Sequence, residues 1–136
     1  PGMRVLQFGF GGSPEDAFLP HNYDRNTAVY TGTHDNDTTL GWWRSLDDVT
    51  RDLVRAQLAD PAEQMPWALV RLALSSTARL AVVPLQDLLG LGSEARMNTP
   101  GVPDGNWSWR AAPGALGGTF AGRFAEWVRA HGRAGA

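Results

Sequence analysis

His34 and Asp35 stand side by side just beyond Thr27-Ala28-Val29-Tyr30-Thr31, a run of β-branched and aromatic residues that reads as a strand. A carboxylate and an imidazole fixed at a strand end form a pair able to hydrogen-bond and to carry charge toward a ligand. Gly32 keeps the approach narrow, and the loop that follows leaves room for a bound molecule. Further polar residues follow the other two predicted strands: His21 and Tyr23 after the first, and Gln86, Asp87 and Asn98 after the third. Parallel barrels and open parallel sheets place their sites at that edge.

Each residue also has a plainer reading. Asp35 could serve only as a helix cap, and His34 as a satisfied core histidine. Asp37 is the better-placed cap for a short helix through Leu40, Trp42 and Trp43, which leaves Asp35 for another role. A metal centre is not expected, because His21, His34 and Asp35 lack the helical spacing of common zinc ligands. Gly9-Phe10-Gly11-Gly12 superficially suggests a phosphate-binding turn, but no amphipathic helix opens behind it to offer its amides.

Aromatic faces stack on sugar rings, so six tryptophans hint at carbohydrate, although large aromatics more often fill cores. Trp67 and Trp127 sit on helical stripes and read as packing residues. Trp107 and Trp109, beside a glycine-rich loop, leave both readings open.

The elements that must position these groups follow from periodicity and punctuation. Met3 to Phe8 reads as a buried first strand, and a long loop then runs to Asn26. Asp47 or Asp48 caps a helix carrying Val49, Leu53, Ala56 and Leu58, which Pro61 ends. A further helix starts with Pro66 at its first position and stops at Ser75 and Ser76. Arg79 to Val83 is the third strand and Leu85 to Leu89 a short helical turn. Phe120, Phe124, Trp127 and Val128 mark a last helix, with a fraying end from His131 to Ala136. Neither connection between successive strands resembles a hairpin, so the strands are expected to pair in parallel. Strands apolar on both faces need helices on both sides or closure into a barrel.

Composition bounds the function. At 136 residues, 43% hydrophobic and 19% charged, one folded unit of ordinary globular composition is expected. No apolar run approaches the roughly 20 residues that span a bilayer, so a membrane partner is not expected. A net charge of −2 without a basic cluster argues against nucleic acid. The absence of cysteine excludes a disulfide framework and fits a cytoplasmic protein.

Four blocks, in this order, carry a family likeness: Val5-Leu6-Gln7-Phe8, Leu19-Pro20-His21-Asn22-Tyr23, Thr31-Gly32-Thr33-His34-Asp35-Asn36-Asp37-Thr38 and Arg96-Met97-Asn98-Thr99-Pro100-Gly101. With Asn106-Trp107 to Arg110 they resemble the C-terminal part of the 4-α-glucanotransferases, the amylomaltases or disproportionating enzymes of glycoside hydrolase family 77. The resemblance implies an α/β fold, the C-terminal part of a TIM barrel. Its three parallel strands would be the sixth to eighth, with flanking helices. It further implies that residues 1–136 are one segment of the catalytic barrel domain. The missing N-terminal part of the same barrel would be its partner.

The same resemblance implies transfer of α-1,4-glucan segments to the 4-hydroxyl of a glucan or glucose acceptor, by a retaining mechanism and without a cofactor. The nucleophile and the acid/base would lie upstream of Pro1, which leaves this segment alone inactive. Asp35 matches the family's third essential carboxylate, which binds and distorts the sugar at the cleavage subsite. His34 matches a donor to that sugar, and Asn98 matches a loop asparagine that contacts it. Maltooligosaccharides or other α-1,4-glucans are the expected partners. The alternative is a noncatalytic glucan-binding remnant or interaction module that keeps the sugar-contacting loops.

Overall fold

A computed structural model describes residues 1–135. Its centre is a three-stranded parallel sheet in the order β1 (Gly2–Val5), β2 (Thr27–Tyr30), β3 (Leu80–Val82). Met3 pairs with Ala28 and Ala28 with Leu80, while Val5 pairs with Tyr30 and Tyr30 with Val82. Five helices are described: α1 (Thr39–Ser45), α2 (Asp48–Ala56), α3 (Trp67–Ser75), α4 (Leu85–Leu88) and α5 (Phe120–Ala130). The parallel pairing and the order of elements agree with the sequence expectation.

Side chains alternate across a strand, so the register sorts the two faces of the sheet. Val29 and Ala81 face the helices, where Val29 joins Leu6, Leu19, Val54, Leu69 and Ala73 in the main core. The opposite face carries Met3, Leu80 and Val82, exposed at 56%, 52% and 41%. Among the described residues, helices therefore cover one face of the sheet and not both.

The first strand is shorter than predicted. It stops at Val5, and Leu6–Phe8 turns into a single 3-10 turn. Leu6 is fully buried, but Phe8 is 55% exposed and lies edge-on to Phe18. A short apolar run is compatible with strand or turn, and here the turn carries Gln7 toward the second strand's end.

Helix α3 is central because its apolar face is wide: Ala68, Leu69, Val70, Ala73 and Leu74 are all buried. Trimming Leu69 to Ala would cost about 2–5 kcal/mol through lost transfer energy and a residual cavity. Pro66 occupies the N-cap position, so the helix begins at Trp67, one residue later than predicted. A second core of Val70, Leu74 and Trp127 joins α3 to α5. Trp67 and Trp127 meet edge-on at 5.2 Å, which bears out their reading as packing residues. Arg71 lies over Trp127 at 4.1 Å and Arg123 over Trp67 at 4.3 Å. Arg71 also donates twice to Glu63, at 2.8 and 3.0 Å.

The first residues of the predicted fraying end are tied down as far as Arg133. Arg133 donates from Nε to the Leu74 carbonyl at 2.6 Å and from its terminal nitrogen to the Ser76 carbonyl at 2.8 Å. It thereby closes the C-terminus of α3, whose last carbonyls lack helical partners. Burial pushes the Arg133 guanidinium below its ordinary value. Ala136, the last residue of the predicted fraying end, lies outside the described residues.

Candidate functional site at the C-terminal edge of the sheet

The segment between β2 and α1 is a tight, side-chain-braced turn. Asn36 Oδ1 accepts from the Thr33 amide at 2.9 Å and from the Thr33 hydroxyl at 2.8 Å, and the Asn36 amide returns a bond to the Thr33 carbonyl at 3.1 Å. His34 and Asp35 are thus fixed between two mutually bonded residues. A Cβ at Gly32 would lie 2.6 Å from Gln7 Nε2, so a larger residue there would displace the Gln7 side chain from its bond to the Asp37 carbonyl at 3.1 Å.

The helix cap falls one residue later than predicted. Thr38, not Asp37, is the N-cap of α1, its hydroxyl accepting from the Gly41 amide at 3.1 Å. Asp37 instead accepts from the Thr38 amide at 2.8 Å and from the Ser93 hydroxyl at 2.7 Å, linking the turn to the loop beyond β3. Either residue type can cap, so the choice is decided by the backbone register. Asp35 caps nothing, as anticipated.

Three bonds join the His34–Asp35 turn to the loop carrying Asn98. Asn98 Nδ2 donates to Asp35 Oδ1 at 2.7 Å, and the Asn98 amide donates to the His34 carbonyl at 3.0 Å. Arg96 spans the same gap by giving a terminal nitrogen to the Asp35 carbonyl at 2.8 Å, while its Nε braces its own loop by donating to the Asn98 carbonyl at 2.9 Å. His34 Nε2 stands 3.3 Å from Asp35 Oδ1, and both side chains are about half exposed, at 55% and 50%. Among the described residues no hydrogen bond reaches Asp35 Oδ2. One oxygen is therefore anchored and the other is left for solvent or a ligand.

Trp107 stacks on His34 with ring centroids 5.0 Å apart and planes inclined by 40°. Its backbone is left-handed, with φ of 58°, an uncommon conformation for a bulky residue. The Trp107 amide donates to the Met97 carbonyl at 2.7 Å, and Asn106 ties the loop to Thr99 and Val102. An open hollow of about 180 Å³ lies here, walled by His34, Asp37, Gln86, Arg96, Met97 and Trp107 among others. Asp35 and Asn98 do not line it directly, but each is adjacent in sequence to residues that do.

The structure brings His34, Asp35 and Asn98 together, and it removes His21 and Tyr23 from the group expected at this edge. His21 bonds to the Pro14 carbonyl at 2.8 Å, within its own loop. Tyr23 is buried in the core, donates to the Phe18 carbonyl and lies next to Thr77, ahead of β3. Burial pushes its phenol well above the ordinary value. Asp87, 1% exposed, is likewise no open polar group. Sequence reading gave no part to Arg96, although it opens the block that contains Asn98; its partners are too distant in sequence to show. Among the described residues no group of three His, Cys, Asp or Glu converges as a metal site would need. Among the described residues no helix is long and apolar enough to cross a membrane.

Parallel strands with an open hollow beyond their C-terminal ends define an α/β protein of the kind that binds ligands at that edge. The profile of glycoside hydrolase family 77, described as 4-alpha-glucanotransferase, matches residues 1–115, and the chain belongs to that family. It is 55% identical over 124 residues to the 4-alpha-glucanotransferase of Thermus thermophilus, a match spanning 85% of this chain and 25% of that protein. It is 47% identical over 135 residues to the 4-alpha-glucanotransferase of Synechocystis sp., spanning 98% of this chain and 27% of the relative. The amylomaltase from Streptococcus agalactiae in complex with acarbose superposes with a TM-score of 0.93 at 29% identity, over 99% of this chain and 28% of the other. The chain therefore spans about a quarter of the length of these relatives.

Proposed function

We propose that the whole protein is a 4-α-glucanotransferase acting on α-1,4-glucans. This segment would contribute Asp35, His34 and Asn98 to the subsite where the glucan is cleaved. The observation that carries the reading is Asp35 itself: a half-exposed carboxylate with one oxygen held by Asn98 and His34 and the other unengaged. Sugar hydroxyls hydrogen-bonded to such a group bind it more strongly as positive charge develops on the ring. A carboxylate already fixed by its neighbours needs no reorganisation at that moment. The names of the relatives and the acarbose bound to the amylomaltase support a glucan ligand.

Retaining transfer needs a nucleophile and an acid/base. In this reading both come from sequence N-terminal to Pro1, and the strands described above are the sixth to eighth of a barrel. The exposed Met3, Leu80 and Val82 would then face the barrel interior, covered by the remaining strands. Asp35→Asn in the full-length protein tests the role directly, with maltotriose as donor and acceptor. The expected result is a fall in kcat of roughly a hundredfold or more with a much smaller change in KM. Near-normal turnover would reject the role given to Asp35.

A further inference from the structure

Asp87 sits in α4, beyond β3, and is almost completely buried. Its partners come from the two ends of one short segment. Asp87 Oδ2 accepts from the Thr31 hydroxyl at 2.6 Å and from the Thr39 hydroxyl at 2.7 Å, while Oδ1 accepts from the Thr39 amide at 2.8 Å. Thr31 is the last residue before the turn, and Thr39 is the first residue of α1 after it. Thr31 and Thr39 are themselves fully buried. A buried carboxylate without hydrogen-bonding partners is strongly disfavoured, so these three bonds must be kept together for the site to stay folded.

We infer that Asp87 is a positioning residue: by binding both ends of the turn 32–38 it fixes the placement of His34 and Asp35. The inference rests on the transferase reading only for its catalytic consequence. The physical reason is geometric. A turn whose ends are held by one rigid group cannot swing its tip, whereas a turn held at one end pivots. Displacement of a reacting or stabilising group by about an ångström costs of the order of a hundredfold in rate. The short helix α4 also carries Gln86, which lines the hollow, so the same four residues join the wall of the site to its base.

The test uses the full-length protein carrying Thr31→Val or Thr39→Val, which keep the side-chain shape and remove one hydroxyl donor each. Thr31→Ser and Thr39→Ser, which keep the hydroxyl, are the conservative controls. Amide hydrogen exchange reads the frame: both Val variants should speed exchange at Asn36 and Asn98 by about tenfold, with Val29 in β2 unchanged. With maltotriose, kcat should fall about tenfold while KM stays within about threefold, and the Ser variants should stay near wild type in both readouts. Unchanged exchange at Asn36 and Asn98, equal acceleration at Val29, or local loosening with full kcat would each overturn the inference. If the wild type transfers no glucan, the transferase reading fails by itself, and the exchange pattern still decides whether Asp87 holds the turn.

Discussion

Asn98 and Asp35, 63 residues apart in sequence, are joined side chain to side chain at 2.7 Å, with Asn98 as donor. Hydrogen bonds to a charged acceptor contribute more than neutral ones. Asn98→Ala should therefore lower kcat by about tenfold, because Asp35 keeps its charge and loses its anchor. Asn98→Asp should do more. Two carboxylates at hydrogen-bond distance cannot both ionise easily, so the acidic limb of the pH profile of kcat/KM should move upward. Steady-state assays from acid to neutral pH check both outcomes.

Arg96 grips two loops with nitrogens that point in different directions. Arg96→Lys should fail as badly as Arg96→Ala, because a single ammonium has no planar fork to reach both carbonyls. The expected loss is about tenfold in kcat for either variant, with faster exchange at the Asn98 amide. A lysine variant with wild-type turnover would contradict the assignment.

Glu63 holds Arg71 through two bonds and stands 3.9 Å from Arg123, with only 12% of its side chain exposed. Removing its charge leaves two guanidinium groups crowding the same pair of indoles. Glu63→Gln should destabilise the protein by about 1–2 kcal/mol, seen as a lower urea midpoint at unchanged slope. Activity per folded molecule should be unaffected, since the seam between α3 and α5 lies away from Asp35.

Asp47 caps α2, accepting from the Thr50 amide at 2.8 Å. Bonding to Thr50, through its side chain first and its backbone second, holds the Asp47 carboxyl below its ordinary value. A carboxyl depressed in the folded state stabilises above its unfolded value, near pH 4, and loses that contribution as pH falls through the lower folded value. Asp47→Ala should thus lower the melting temperature at pH 7, and the gap to wild type should close as the solution is acidified. Melts at a series of pH values read this directly.

How much of this could be read from the sequence depends on the distance between partners. The strand Thr27–Tyr30, the Asp47 cap and the stripes of α3 and α5 are local patterns, and the structure keeps them. Phe8 was misread because an apolar residue after Leu6 suits a strand and a 3-10 turn equally until the neighbouring chain is known. The cap shifted from Asp37 to Thr38 because both can accept an amide, and Ser93, far along the chain, engages Asp37. His34 and Asp35 stand out in the sequence by their place at a strand end, and the roles of all three of His34, Asp35 and Asn98 follow from the resemblance of two separate blocks to the family. The part of Arg96, and the burial of Asp87 against Thr31 and Thr39, are not legible, since each acts through residues dozens of positions away and no period or spacing records that.

Two of the three bonds between the His34–Asp35 turn and the Asn98 loop end on main-chain oxygens. Such a joint is indifferent to which side chains stand at positions 35 and 98. Chemistry and scaffolding are consequently separable here: the acidic group can be exchanged while its mounting persists. An inactive version of this corner should keep the outline of the active one, so loss of chemistry and loss of shape can be told apart.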